Sequence, residues 1–192
     1  LCPVAFFANQ PLLALMACDL VSASVEHGLS MATPNALALF GLIMNTAGMY
    51  RVSHAWGELA IRLLDRWDDR SLEAATRHVV FDFVCPWIAP LRTITPSSRE
   101  VFEIGFKSGD FEYAGYAAHV WTYMELATGA PLVPLRDEAL SLGSRMRACG
   151  QLNALHIHAP FEQMLVGLTG GKDVPWCLDG GDYVELDALA KA

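Results

Sequence analysis

Charge is scarce in this chain, and basic charge scarcer still. Charged residues make up 18% of the 192 positions, with 13 Lys and Arg against 21 Asp and Glu, and the basic residues form no cluster. A net charge of -8 repels a phosphate backbone, which is bound by basic patches that release counterions. Nucleic acid is therefore not an expected partner. Long apolar runs are also missing. The most apolar stretch, Ala36 to Met44, falls far short of the roughly 20 residues a membrane-spanning helix needs. The apolar start at Leu1 has no basic leader of the kind that opens a signal peptide. A soluble chain with no membrane partner is expected. The five cysteines, Cys2, Cys18, Cys85, Cys149 and Cys177, are odd in number, far apart and mostly set in apolar stretches. That pattern argues against a disulfide framework or a zinc site and for a reducing cytoplasm.

What is present is apolar. Hydrophobic residues make up 53% of the chain, which rules against disorder and requires that much of it be buried. The length suits one sizeable core or a short array of repeats, so a single domain over residues 1–192 is expected. Leu1 is not an initiator Met and Ala192 interrupts what reads as a helix, which marks the chain as a fragment of a larger multidomain protein.

Helical periodicity dominates. Between Ser53 and Trp67, apolar residues fall at Trp56, Leu59, Ala60, Leu63, Leu64 and Trp67, one stripe of a 3.6-residue helix. From Phe111 to Ala127, Phe111, Ala114, Ala118 and Trp121 form a stripe that Tyr113, Ala117, Val120 and Met124 widen, as in a helix packed on two sides. Thr33-Pro34 and Thr95-Pro96 read as N-caps followed by proline in the first turn. Gly109-Asp110 reads as a left-handed stop followed by a cap, and Gly150 as another stop. Pro86 and Pro160 should kink or shorten the helices that hold them. Val79 to Val84 has strand-like composition, but its place inside a helical interval favours a buried helix.

The breaks recur. Gly28, Arg70, Gly109 and Gly150 are 42, 39 and 41 residues apart, and Gly48, Pro90, Gly129 and Gly170 interleave at the same intervals. Each interval holds two helices, and stacked hairpins bury a core that no single pair could bury alone. The expected fold is all-α, an α-α superhelix resembling a tetratricopeptide solenoid, with about four antiparallel helix pairs and a period of about 40 residues. A leading helix near 11–27 precedes pairs near 34–47 with 50–67, 71–88 with 96–108, 110–127 with 134–148, and 151–168 with 182–191.

The run Phe102 to His119, preceded by Trp87-Ile-Ala-Pro90-Leu91-Arg92 and by Ala55 to Leu64, resembles the tetratricopeptide-like region of large bacterial predicted ATPase signalling proteins. The resemblance covers roughly residues 12 to 170, and its most specific element is Ser108 to Ala114. In that family a kinase-like domain and an AAA-type ATPase module commonly precede the region, with sensor histidine kinase or other output domains after it. The resemblance implies a spacer or sensor array between switch and output. It carries over no catalytic or ligand-binding residue.

The chemical motifs are weak. Leu168 to Asp173 suggests a phosphate loop, but Val166 and Asp173 stand where that pattern needs Gly and a hydroxyl. Gly28 to Ala32 suggests a nucleophile elbow around Ser30, but a helix precedes it and Ala32 replaces the second Gly. Asp65, Asp68 and Asp69 resemble one half of the acidic pair with which all-α diphosphate enzymes hold Mg²⁺, and no facing cluster is found. His156 and His158 point to opposite sides of a helix. His78, His119 and His158 recur at intervals of 41 and 39, which favours a shared packing position over a metal site. Tyr113, Tyr116, Trp121 and Tyr123 read as core. No catalytic, cofactor-binding or metal residue is assigned and no cofactor is expected. The chain reads as a non-catalytic scaffold for protein-protein interaction or signal relay, its partner another protein or the neighbouring domains. A small-molecule sensor is the alternative and a Mg-dependent diphosphate enzyme a remote one.

Overall fold

A computed structural model describes residues 2–180 and 183. The fold is all-α: nine α-helices and no strand occur among the described residues, where Gly180 and Tyr183 share an isolated antiparallel bridge. No helix among them is long and apolar enough to cross a membrane. The chain packs as two compact units, Leu1–Ser97 and Ser98–Ala192.

In the first unit, α1 (Cys2–Ala8) and α2 (Gln10–His27) lead to α3 (Thr33–Thr46) and α4 (Tyr50–Leu64). Asn9 caps α2, its side chain accepting from the Leu12 amide at 3.0 Å. The centre is α3, where Leu37, Ala38, Leu39 and Leu42 pack with Leu13, Ala17, Ala60 and Leu63. Gly41 makes the fit to α4 close, since a Cβ there would lie 3.0 Å from the Ser53 carbonyl oxygen. Thr33 sits one position inside the start of α3 and is buried. Its Oγ1 accepts from the Ser30 amide at 2.9 Å, so it closes the incoming turn instead of capping the helix.

The interval expected as one helix over 71–88 is composite. α5 (Glu73–His78) passes into a π-helical segment over Val79–Val84 and a 3₁₀ turn over Cys85–Trp87. In the wider turn the Cys85 amide reaches the Val80 carbonyl, five residues back. Asn45 on α3 donates to the Phe83 carbonyl at 3.0 Å, tying the segment to the core. Pro86 has no amide to extend the ladder, and the helical run ends at Trp87.

The boundary between the units falls within α6 (Leu91–Ser108). This helix starts earlier than Thr95-Pro96 suggests. The Thr93 amide and hydroxyl both donate to the Pro90 carbonyl, at 2.9 and 2.7 Å, and Pro96 lies inside the helix. The second unit continues with α7 (Phe111–Ala127), α8 (Leu132–Ala148) and α9 (Leu152–Leu168). Leu135, Ala139 and Leu165 form a buried cluster against Trp121, Leu126 and Leu132. Arg145 lies over the rings of Phe102 and Phe106, 4.3 and 4.0 Å from their centroids, and its guanidinium is 3.5 Å from Glu103.

The turn between α6 and α7 follows the expected chemistry. Gly109 has φ +83° and Asp110 accepts from the Tyr113 amide at 3.4 Å. Nothing lies near a Cβ at Gly109. Gly109→Ala therefore isolates the backbone cost, and urea denaturation should show a loss of about 1 kcal/mol. The helix expected over 182–191 lies outside the described residues apart from Tyr183.

Candidate functional site

α9 must bury one face against α7 and α8, and that face carries two ionisable groups, His158 and Glu162, one helical turn apart. Both side chains are fully buried. His158 Nε2 donates to the Ala139 carbonyl of α8 at 3.0 Å, using a mid-helix oxygen that retains a free lone pair. Glu162 Oε2 accepts from Arg147 Nη2 at 2.8 Å, and its Oε1 lies 3.7 Å from His158 Nε2. Gly143, one turn before Arg147 on α8, makes room for the carboxylate: a Cβ there would collide with Glu162 Oε1. From α7, the His119 ring meets His158 edge-on at 6.2 Å and Phe161 at 5.0 Å.

Burial holds the His158 imidazole below its ordinary pKa. The bond to Ala139 and the Glu162 carboxylate oppose that shift, and Arg147 adds to it. His158 is thus a neutral donor fixed in one tautomer. Nothing nucleophilic adjoins it, and among the described residues no group of three His, Cys, Asp or Glu side chains could hold a metal ion. The arrangement is a polar lock between helices.

The first unit holds a related pair. His78 Nδ1 and Asp82 Oδ2 are 2.6 Å apart, both buried, where α5 meets the π-helical segment. Cys85 follows, its thiol pushed up to about 11 by burial and then by Asp82 and Glu58, so it is protonated and a poor nucleophile near neutral pH. On the outer face of α4, Arg51, Val52, Ala55, Trp56 and Leu59 line an open apolar groove of about 380 Å³. At the start of that helix Tyr50 stacks flat on Trp87, their ring centroids 5.0 Å apart.

The sequence motifs fall as follows. Gly170 and Gly171 end α9, the Gly171 amide bonding back to the Val166 carbonyl at 2.9 Å. A phosphate loop would open a helix instead. Lys172 is engaged with the Cys177 and Asp179 carbonyls at 2.8 and 2.9 Å. Ser30 Oγ accepts from the Ala32 amide in the turn before α3. Asp65, Asp68 and Asp69 are exposed in the loop after α4, where Asp65 is 3.6 Å from Arg70 and Asp69 accepts from the Ser71 amide, which holds its carboxyl below the usual range. His156 is exposed and His158 buried, on opposite sides of α9. Tyr116 is buried and donates to Glu112 at 3.2 Å; burial, then Glu112, pushes it up to about 12. Trp121 packs in the core cluster, and Tyr113 and Tyr123 lie edge-on or tilted against Tyr116 and His119.

The recurrence of histidine pointed to His158, but Gly143, Arg147 and Glu162 were not singled out. Their signal is matched spacing, Gly-x3-Arg on one helix and His-x3-Glu on the next, which becomes meaningful only once the two helices are known to face each other. Comparison of the chain with protein-family models, curated proteins and solved structures returned no match.

Proposed function

We infer that the chain is a non-catalytic helical-repeat scaffold, an α-α superhelix resembling a tetratricopeptide array, that relays a signal or binds protein within a larger cytoplasmic ATPase or kinase signalling protein. The observation that carries this reading is the recurrence of equivalent buried pairs. His78 with Asp82, His119 with Tyr123 and His158 with Glu162 each stand one turn apart, and each pair follows the last by 41 and then 39 residues. Glycines at positive φ, Gly28, Gly109 and Gly150 in one set and Gly48, Gly129 and Gly170 in the other, supply stops at the same spacing. Such spacing suits stacked hairpins, which present an extended surface and bend as a spring. The resemblance of residues 12 to 170 to the predicted ATPase region supports the placement between switch and output.

The test is made in the full-length parent protein. Excising the segment, or replacing it with a flexible linker of equal length, should uncouple nucleotide turnover from the output activity. Unchanged regulation would reject the reading. A second reading, a small-molecule sensor, is favoured by the α4 groove, whose size falls in the range of ligand sites. Thermal-shift screening of the 192-residue chain separates the two. A ligand present at a hundredfold its Kd would stabilise the chain by about 2.7 kcal/mol, and Trp56→Ala would abolish that shift.

A further inference from the structure

The buried cluster of the second unit gathers two imidazoles, His119 and His158, and the Arg147 guanidinium around one carboxylate, Glu162. We propose that this imbalance makes the second unit an acid-triggered release, in which uptake of a proton at His158 loosens α9 from α7 and α8 while the first unit keeps its packing.

The geometry supplies the trigger. With Nε2 committed to Ala139, the incoming proton must go to Nδ1, which is buried and has no hydrogen-bond partner. The new N–H is a donor with nothing to bond, inside a site where an unmet donor is costly. The charge it brings also meets no fresh counter-charge. Glu162 Oε2 is already engaged by Arg147, and the remaining oxygen, Oε1, faces the notch at Gly143 and lies 3.7 Å from the other ring nitrogen. From α7, the group facing His158 is a second imidazole, His119. From α8 it is the Arg147 guanidinium. Relief comes when α9 turns or lifts so that Nδ1 reaches water. In the first unit, by contrast, His78 faces Asp82, one imidazole to one carboxylate, at 2.6 Å.

The sign follows from burial. His158 titrates below its ordinary value when α9 is packed and at that value when α9 is released, so the released state takes up the proton first. The packing contribution is complete above about pH 6.5 and is lost as pH falls through the packed-state value. For one proton the loss of protection is at most about tenfold per pH unit.

Hydrogen exchange by mass spectrometry on the whole 192-residue chain, corrected for intrinsic rates, tests this between about pH 7.5 and about pH 5.5. Peptides from α7, α8 and α9 should lose protection severalfold to tenfold per unit below about pH 6.5 while those from α3 and α4 hold theirs. In His158→Gln the amide keeps a donor toward Ala139 without titrating, and the dependence should disappear. A flat profile in the wild type, an equal loss in the first unit, or the same dependence in His158→Gln would overturn the proposal. If that variant does not fold, an imidazole NMR titration of the wild type decides. A His158 ring still neutral where the exposed His27 and His156 have protonated supports the proposal, and one titrating with them overturns it.

Discussion

Gly143→Ala should lower the stability of the second unit by about 3 kcal/mol, a large effect for the addition of one methyl group. Alanine is the better helix former by about 1 kcal/mol, so on an exposed helix the change would stabilise. Here the new Cβ takes the space occupied by Glu162 Oε1, and its other near neighbour is Arg147 Nη1 at 3.0 Å. The carboxylate must withdraw or the helices must part, and either movement breaks the 2.8 Å bond to Arg147 inside a fully buried site. Differential scanning calorimetry should show a Tm lower by roughly 10 °C. A neutral or stabilising result would mean that Glu162 has another place to go, and the lock described above would be wrong.

Arg147→Leu should cost a similar amount, about 3 to 5 kcal/mol, because it leaves a fully buried carboxylate without its guanidinium. The informative comparison is the double variant Arg147→Leu/Glu162→Leu. Two charges removed from water are stabilised by their mutual attraction only about as well as an apolar pair of similar volume, so the double variant should recover most of the loss. Chemical denaturation of the four proteins completes the cycle. A strongly negative coupling energy, with the double variant far more stable than the sum of the singles, is expected. Additive losses would show that Glu162 and Arg147 act separately.

The helices themselves were legible. The expected spans near 11–27, 34–47, 110–127, 134–148 and 151–168 correspond to Gln10–His27, Thr33–Thr46, Phe111–Ala127, Leu132–Ala148 and Leu152–Leu168. Glycine stops and apolar stripes are local signals, and they survive tertiary packing. Thr95-Pro96 misled because a threonine before a proline has the same composition at a helix start as inside one, and the hydrogen bonds to the Pro90 carbonyl that begin α6 are not visible in the motif. The π-helical segment over Val79–Val84 could not be read either. Periodicity over six residues separates helix from strand with difficulty, and one helical register from another not at all. The polar lock was half legible. His158 stood out by its recurrence, whereas a glutamate and an arginine on helices read as solvated residues until a neighbouring helix covers them.

The widened turn before Pro86 has a consequence for where the aromatic stack on α4 can form. A π turn encloses one residue more than an α turn, so the segment behaves as though a residue had been slipped into an ordinary helix and its length absorbed on the spot. Deleting one residue between Val79 and Val84 would let the ladder relax to regular spacing and rotate everything after it by about 100°. Trp87 would then swing away from Tyr50, and the flat ring pair on the surface would come apart although neither aromatic residue had been touched.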